Sequence, residues 1–520
     1  MSRTKNAARN IIFGTILRVY QLLLPFLMRT ALLYYLGVQY LGLNSLFVSV
    51  IQMLNLAELG VGSAMVYSMY KPIAENDEVT ICALMRLYKI YYWVIGLVIA
   101  VVGLAVTPVI PKLIHGSYPE GINIYVLYLL NLFATVFSYW FFAYRNSILE
   151  ANQRNDVISK VSLVTFTIQY GLQFLVLALT KNYYLFVMVA MFSQIVTNVA
   201  TAIASRKLYP NFNPVGKLEK SEIHVINGRI RDLFTAKLSN TLLNSADTLV
   251  ISGFLGLVIL AKYQNYYYIM TAVTGFIVIF ISSCTAGIGN SLVTETMDKN
   301  YVDFKKLSLM VWWLAGIGVC CFLNLYQPFM ALWMGEENLL DFGCVILMCA
   351  YSYLYITNHV MAAYKDAGGM WHEDRFRPFC SSMFNLILNL ILVRYIGIFA
   401  IILSTVASYV VVNMPWLIKN LFTVIFDRSP AEYIIKYLKH VLLVTAAAAA
   451  SYYACMLTPD RGVWSLVMRL AICVVIPNIL FLLFLHRDED FGGVLDIADR
   501  ITKNKFKAIT SKLRTSGRNA

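Results

Sequence analysis

The chain has 520 residues, of which 59% are hydrophobic and 13% are charged, whereas soluble domains have about 45–50% apolar and about 25% charged residues. This composition excludes a single water-soluble core and predicts an all-α polytopic membrane protein, because apolar stretches of at least ~18 residues recur along the chain. The net charge of +14 does not indicate binding to nucleic acid, because the cations are dispersed over many short loops and form no single basic face.

Fourteen predicted membrane-spanning helices follow one another along the sequence. The first seven are 11–36, 42–70, 88–107, 123–146, 157–179, 184–205 and 232–254. The second seven are 263–292, 307–333, 341–363, 377–396, 398–422, 437–457 and 463–485. External loops are short on this map, so the sequence leaves little room for a folded domain outside the membrane.

The positive charges predict the orientation of these helices. The predicted span ends carry errors of about 2–4 residues, so cations this close to an end are counted with the adjoining loop. Of the 42 Lys and Arg residues, 33 then fall in the N-terminal segment, alternate loops and tail, five fall in the other loops, and four fall within spans. Because cytoplasmic loops are enriched in Lys and Arg, both termini are predicted to be cytoplasmic. The basic tail has isoleucine and leucine near helical spacing, which favours a helix on the anionic inner leaflet; a disordered basic tail is the alternative.

The sequence divides into two related halves. An offset of 219 residues aligns Leu36-Gly37 with Leu255-Gly256 and Arg18 with Lys237, and a further gap of eight aligns Gly60-Val61-Gly62-Ser63 with Gly287-Ile288-Gly289-Asn290. Six helices separate the equivalent positions, so we predict two pseudo-symmetric six-helix lobes in parallel orientation, plus two extra C-terminal helices. The predicted limits are a first lobe at 1–207, a cytoplasmic linker at 208–231, a second lobe at 232–425, two further helices at 426–486 and a basic cytoplasmic tail at 487–520.

Cations within the spans are the strongest candidates for a binding site. An ionisable group at membrane depth costs about 2.5–3.5 kcal/mol, so it is retained mainly where it faces water or a partner. Arg18 and Arg29 are eleven residues apart, which places them on one face of the first helix, about 16 Å apart along its axis. Each could extend to its nearest interface. Their shared face and the match of Arg18 to Lys237 instead favour a cationic lumen.

Two acidic residues within the spans have an ambiguous role. Glu58 in the second predicted helix and Asp247 in the seventh are either salt-bridge partners or protonatable groups that couple transport to an ion gradient. Motifs of catalysis are absent from the sequence, which has neither a Walker-type glycine loop nor an HExxH motif. We interpret Asp488-Glu489-Asp490 as a solvated charge run, and the scattered cysteines indicate neither a disulfide framework nor a zinc site. The sequence therefore predicts a non-enzymatic protein without cofactor or metal.

Three motifs near the N-terminus resemble a known family. Lys5-Asn-Ala-Ala-Arg-Asn10, Tyr35-Leu-Gly-Val-Gln-Tyr-Leu-Gly-Leu43 and Leu56-Ala-Glu-Leu-Gly-Val-Gly-Ser-Ala64 are similar to segments of bacterial polysaccharide transporters. These are the Wzx-type oligosaccharide flippases of the multidrug/oligosaccharidyl-lipid/polysaccharide (MOP) exporter superfamily. The resemblance covers about residues 5–486.

The resemblance implies a function for the cations. Wzx-type flippases carry oligosaccharide repeat units on undecaprenyl pyrophosphate across the bacterial cytoplasmic membrane by alternating access, for capsule, exopolysaccharide or other cell-surface polysaccharide. Arg18, Arg29 and Lys237 would then bind the pyrophosphate. Glu58 or Asp247 would be the coupling acid, and polysaccharide polymerase and glycosyltransferases would be partners.

Three other functions compete with this interpretation. A lipid II flippase for peptidoglycan would share the fourteen helices and the cationic cavity. A multidrug exporter of the same superfamily would be expected to line its lumen with acids, whereas the first helix offers Arg18 and Arg29 and no acid. A membrane glycosyl polymerase would need a large external loop, which this map lacks.

Overall fold

A computed structural model describes residues 3–58, 60–459, 462–486 and 488–501. Helices and turns make up these residues, and no strand occurs among them, so the predicted all-α fold is confirmed. Within helices, only the backbone is described for residues 3–8, 11, 57, 232, 235–244, 497, 498, 500 and 501. The chain forms two compact units, which divide between Ala261 and Lys262.

Nine helices end before the division between the units, which falls inside the tenth helix. They are α1 (Arg3–Leu36), α2 (Val38–Leu54), α3 (Val61–Glu75), α4 (Glu78–Val106), α5 (Ile124–Trp140), α6 (Asn146–Ala151), α7 (Asn155–Thr180), α8 (Tyr183–Leu208) and α9 (Lys220–Leu255). Ten more follow among the described residues: α10 (Leu257–Thr294), α11 (Met297–Met334), α12 (Phe342–Ala367), α13 (Trp371–Asp374), α14 (Arg377–Ile396), α15 (Ile398–Ser408), α16 (Met414–Asn420), α17 (Ala431–Cys455), α18 (Val463–Leu485) and α19 (Phe491–Ile501). A π-helical turn follows each of α15 and α16.

Eleven of the helical segments in the described residues are long and apolar enough to cross a membrane, or twelve if a bent pair forms one span. The predicted number of fourteen is therefore approximate. Three predicted spans account for the difference. The span 42–70 is divided into α2 and α3, and the span 123–146 bends by 47° between α5 and the following turn. The span 232–254 lies in α9, and of its described side chains only those of Ser245–Leu255 form an apolar helix, which is short.

The first sequence motif attaches α1 to the start of α7. Asn10 accepts a hydrogen bond from the Asp156 amide at 2.8 Å and donates one to the Gln153 carbonyl at 2.9 Å. The carboxylate of Asp156 is buried and lies 2.9 Å from Arg154 and 3.2 Å from Lys160. The hydrogen bond from Arg154 to this carboxylate raises the pKa of Arg154. The conspicuous Asn10 thus has a structural role, which is to satisfy backbone groups where α7 begins.

The second unit is held together by aromatic residues of α11 and α17. Phe304 packs against Tyr433 with ring centroids 5.1 Å apart and against Phe426 at 5.0 Å. Burying such large rings contributes most of the packing energy of a core. These contacts fix the start of α17 beside α11, and that position defines the two cavities of the second unit described below.

The C-terminal helix α19 folds back onto α11. Phe491 and Val494 are buried, and the Phe491 ring stacks on Trp313 at 6.1 Å. The described part of the tail therefore packs against protein. The basic residues from 502 onward, which are predicted to lie on the inner leaflet, are outside the described residues.

Candidate functional site

The second predicted span is interrupted at the acidic residue that the sequence singled out. Helix α2 ends at Leu54, a single 3₁₀ turn covers Asn55–Glu58, and α3 begins at Val61. The prediction of one continuous helix over 42–70 is therefore wrong, and Glu58 lies at the break instead of deep inside a helix. Because a helix break frees backbone groups and redirects side chains, such breaks in membrane proteins are tolerated mainly where they line a cavity or are covered by protein.

Gly60 makes this break possible. Its backbone is left-handed, with φ 91° and ψ −21°, a conformation that glycine adopts without steric penalty. A Cβ at this position would lie 2.7 Å from the Leu233 Cβ of α9 and 3.0 Å from the Ile230 carbonyl oxygen. Both the backbone conformation and the close approach of α9 therefore require glycine.

Glu58 lines a polar cavity of about 500 Å³ in the first unit. A second carboxylate, that of Glu150, lines the same cavity together with Tyr88 and Tyr92. The Tyr92 hydroxyl donates a hydrogen bond to Glu58 Oε1 at 3.4 Å and accepts one from Tyr88 at 2.5 Å. Gly62 leaves space beside the carboxylate, because a Cβ there would lie 3.2 Å from Glu58 Oε1.

Glu150 is not among the site residues predicted from the sequence. The predicted fourth span ends at residue 146, which leaves Glu150 in a predicted cytoplasmic loop. In the structure the chain bends by 47° and continues as α6, which buries Ile148 and Leu149. Those two apolar neighbours were the available signal that this loop packs into the protein.

The arrangement of the cavity suits a proton or a small cation. Two carboxylates that share one cavity repel each other, so a bound proton or cation lowers the free energy of the pair. Tyrosine hydroxyls can donate to the ionised carboxylate and can accept from a protonated one. The sequence gives the coupling role to Glu58 or Asp247, and that role stays a prediction for both acids.

The predicted cations lie on two helices. Arg18 is exposed and Arg29 is half-buried on α1, and both belong to one continuous helix with Pro25 between them. The backbone of Lys237 is part of α9, but its side chain is outside the described residues. The structure thus places Arg18 and Arg29 on one helix as predicted, while a lumen shared with Lys237 stays a prediction. The pairing of Glu58 with Arg29 also stays a prediction.

Helix α9, which carries Lys237 and Asp247, packs within the first unit. Asp247 is 7% exposed, so this acid is not open to bulk water. Near the start of α9, Arg229 donates a hydrogen bond to the Ser68 hydroxyl of α3 at 3.0 Å. Near its other end, the Ser252 carbonyl accepts a bond from the His115 amide at 2.8 Å. Helix α9 is therefore held to the first unit at both ends.

The second unit contains a large apolar groove of about 1130 Å³. Aliphatic and aromatic side chains of α11, α12, α15, α16 and α17 line it, and Lys419 and Arg428 are the two charged residues in its lining. Arg428 forms an ion pair with Asp298 at 2.6 Å and lies 4.2 Å from the Tyr301 ring centroid.

Comparisons with known proteins support the fold. No protein-family model matches the chain, and no curated protein sequence matches it. Among solved structures, the lipid II flippase MurJ in an inward closed conformation is similar with a TM-score of 0.67 and 14% identity, over 91% of this chain and 99% of that chain. An inward-facing multidrug resistance MATE family transporter of the MOP superfamily has a TM-score of 0.57 and 14% identity, over 83% and 98%.

A third structure, a mutant of the Vibrio cholerae MATE transporter VcmN, has a TM-score of 0.52 and 15% identity, over 82% of this chain and 99% of that chain. All three are membrane transporters or flippases by name. At such low identity, they show that this chain shares the fold of MOP-superfamily proteins. They do not distinguish a Wzx-type flippase from the other members.

Proposed function

We propose that this protein flips undecaprenyl-pyrophosphate-linked oligosaccharides across the bacterial cytoplasmic membrane, with both termini in the cytoplasm. The observation that carries the proposal is the fold, which is shared with a lipid II flippase over 91% of the chain, combined with two arginines on the first helix. A fold by itself does not define a substrate, so the substrate class is argued from the charges and the groove.

The cations provide the anion-binding chemistry of the proposal. Arginine presents a planar fork of donors that matches pyrophosphate oxygens, and it stays charged when partly desolvated. Arg18 and Arg29 would bind the pyrophosphate together with Lys237. A multidrug exporter of cationic compounds is disfavoured, because Arg18 and Arg29 would repel its substrate.

The apolar groove provides a place for the lipid tail. A groove of about 1130 Å³ is large enough for many prenyl carbons. Because the bilayer around the tail is already apolar, dispersion contacts with the groove lining, and not removal from water, would hold the tail there. Lys419, which is exposed, would attract the phosphate end of the lipid, whereas Arg428 is already paired with Asp298. The oligosaccharide would travel through the wet part of the transporter while the tail stays in an apolar environment.

The Glu58 cavity provides the coupling. We propose that Glu58 and Glu150 take up a proton or a cation from one side of the membrane and release it to the other, so that an ion gradient drives the transport cycle. Since both carboxylates line one cavity, occupancy at one residue changes the affinity of the other.

A lipid II flippase is the second candidate. The observation that favours it is the higher TM-score of MurJ, 0.67 against 0.57 for the MATE transporter. Lipid II presents the same pyrophosphate and a polyprenyl tail, so Arg18 and Arg29 would serve it equally well. The two candidates differ in the sugar and peptide part of the substrate.

Reconstitution with two substrates tests the proposal. The purified protein in liposomes should flip an undecaprenyl-pyrophosphate-linked oligosaccharide faster than lipid II, and the reverse preference would establish the second candidate. Arg18→Ala or Arg29→Ala should lower the rate at least about tenfold, because one charge-assisted hydrogen bond contributes about 1.5–3 kcal/mol. The control is Lys89→Ala, which removes an exposed cation of α4. Wild-type rates for both arginine variants would exclude the cationic lumen.

A genetic experiment tests the same proposal in the cell. Deletion of the gene should cause lipid-linked oligosaccharide to accumulate on the cytoplasmic leaflet, and the wild-type gene should reverse this effect. The Lys237→Ala form should fail to reverse it while still being inserted in the membrane. If lipid-linked oligosaccharide does not accumulate, the flippase proposal is wrong.

A further inference from the structure

A second cavity of the second unit, of about 390 Å³, is lined by both apolar and charged side chains, and it shares Tyr433 with the lining of the apolar groove. It is enclosed by α11, α17, the end of α18 and the turn that precedes α19. Trp312 and His440 line its inner part, and Lys305, Lys436 and Lys439 line it together with two aspartates. The proposed transport function uses none of these residues.

Two nitrogen atoms on the wall of this cavity have no hydrogen-bond partner among the described residues: Trp312 Nε1 and His440 Nε2. Both side chains are buried, with 3% and 2% exposure, and their ring centroids are 5.7 Å apart. A buried polar group without a partner is rare in folded proteins, because it has lost its water without gaining a replacement. A ligand with oxygen acceptors would remove this penalty.

The chemistry of the two rings specifies an acceptor. The indole nitrogen of Trp312 can only donate a hydrogen bond. His440 Nδ1 lies 3.0 Å from the Tyr353 hydroxyl, and when that hydroxyl donates, the proton of the neutral imidazole is on Nε2, facing the cavity. The wall then presents two donors and no competing acceptor from these two rings.

The cavity is lined by three lysines and two aspartates, and with Glu432 beside Lys305 the basic and acidic residues are equal in number. Lys436 is engaged by Asp490 at 2.8 Å and by Asp488 at 3.6 Å, and Lys305 is engaged by Glu432 at 3.0 Å. Lys439 is exposed and forms no ion pair with any residue that the structure describes. One cation is therefore available for an anionic ligand.

The surroundings of the cavity indicate where that ligand comes from. Leu442 of α17 is 70% exposed, and Leu483 and Phe484 of α18 are 61% and 67% exposed; Phe484 also lines the cavity. In a membrane protein such a surface faces lipid chains. The charge pattern predicts that this end of α17 and α18 is cytoplasmic, and basic pockets between helices on that side bind anionic lipid headgroups.

We propose that this cavity binds the phosphate group of an anionic phospholipid from the inner leaflet. Trp312 and His440 donate hydrogen bonds to the phosphate oxygens, Lys439 compensates the charge, and the first carbons of the acyl chains lie along Leu443, Phe484 and Leu485. The bound lipid holds α17 and α18 to α11. This site does not involve the transported substrate, so its test does not depend on the proposed transport function.

Native mass spectrometry of the purified full-length protein tests the site. The protein is titrated with phosphatidylglycerol or phosphatidylcholine in detergent, and the affinity for each lipid is measured. Both lipids carry the phosphate, so Trp312→Phe, which keeps an aromatic ring but removes a donor to the phosphate, should weaken the binding of each lipid about fivefold, which corresponds to about 1 kcal/mol. Trp464→Phe, at a tryptophan that is 80% exposed, is the matched control and should leave both affinities unchanged.

Lys439→Ala gives a second, independent test, because an exposed lysine can be removed without disturbing the fold. It should weaken the preference for phosphatidylglycerol by about fivefold, with Lys89→Ala as its control. Equal loss in each variant and its control would overturn the proposal, as would a wild-type protein without preference between the lipids. Displacement of phosphatidylglycerol by an equal concentration of inorganic phosphate would also overturn it, because the site would then recognise free phosphate.

Discussion

A glycine turn with nearly the same backbone dihedral angles occurs in both sequence halves. Gly37 joins α1 to α2 with φ 97° and ψ 172°, and Gly256 joins α9 to α10 with φ 87° and ψ 176°. In each case the glycine amide donates a hydrogen bond to the carbonyl five residues earlier, Leu32 at 3.1 Å and Ile251 at 3.0 Å. These positions are 219 residues apart, as the sequence alignment of the halves predicts.

The second pair of aligned glycines differs between the halves. Gly60 lies in a left-handed conformation at the break between α2 and α3, whereas Gly287 and Gly289 lie inside α10, which is an unbroken helix of 38 residues. A Cβ at Gly60 would collide with Leu233, but a Cβ at Gly287 would have no neighbour within 4 Å. The same Gly-x-Gly motif therefore breaks one helix and is accommodated in the other.

This difference separates local from tertiary causes. The Gly37 and Gly256 turns follow from their own backbone, because few residues other than glycine adopt φ near +90° with ψ near 180°. The break at Gly60 depends on what packs there, namely α9 on one side and the Glu58 cavity on the other. The half with the break has an acid, Glu58, two residues before Gly60, whereas the residue two before Gly287 is a threonine. The two halves are therefore related in structure but differ in chemistry.

The largest expected effect comes from a side chain at Gly60. Gly60→Ala should destabilise the protein by about 3 kcal/mol, because it combines a strained left-handed backbone with overpacking against α9. Thermal unfolding of the purified protein in detergent measures the change. Gly171→Ala is the control, since Gly171 is helical in α7 and a Cβ there would have no neighbour within 4 Å. An equal melting temperature for the two variants would mean that the break at Gly60 does not depend on glycine.

A comparison of the two turn glycines gives the next effect. Gly37→Ala and Gly256→Ala should each cost about 1–2 kcal/mol, because both positions have a backbone conformation that alanine rarely adopts. Gly256→Ala should cost about 1 kcal/mol more, since its Cβ would lie 2.7 Å from the His115 carbonyl oxygen, whereas the Cβ at Gly37 would meet nothing. Thermal unfolding of both variants checks the order, and a larger loss for Gly37→Ala would contradict it.

The repeat and the helices were predictable because their causes are local. Apolar length marks a spanning helix, and the Leu-Gly pairs at 36–37 and 255–256 mark equivalent turns. The break at Asn55–Gly60 was not predictable, because Gly-x-Gly has two outcomes in this chain and the choice between them depends on contacts with Leu233. For the same reason, the cavity shared by Glu58 and Glu150 could not be predicted from residues that are 92 positions apart.

The individual site residues also divide into those that the sequence predicts and those that it does not. Arg18 and Arg29 were placed on one helix by helical periodicity, which is a local property. Trp312 and His440 carry no sequence signal of their own, because a buried tryptophan and a buried histidine in apolar helices are ordinary core residues. Only the absence of a partner for each ring nitrogen among the described residues distinguishes them.

A substitution at Glu58 tests whether the helix break in the first half has a role in transport. Glu58→Gln keeps the shape of the side chain and removes its charge, so it should reduce gradient-driven transport about tenfold. Substrate binding without a gradient should stay near the wild-type level, since the arginines are unchanged. Glu120→Gln, at an exposed position, is the control. Glu150→Gln should show a smaller loss of the same kind, and full gradient-driven transport in both variants would exclude the coupling role of this cavity.

The smallest expected effect is at the glycine that aligns with Gly60. Gly287→Ala should stabilise the protein by up to about 1 kcal/mol, because alanine is a better helix former than glycine and the site is open. Transport should be unchanged if Gly287 has no role in the transport cycle. A loss of transport together with higher stability would instead show that α10 must bend at this glycine during the cycle, as the chain already does at Gly60. That result would make the two halves functionally alike despite their different resting structures.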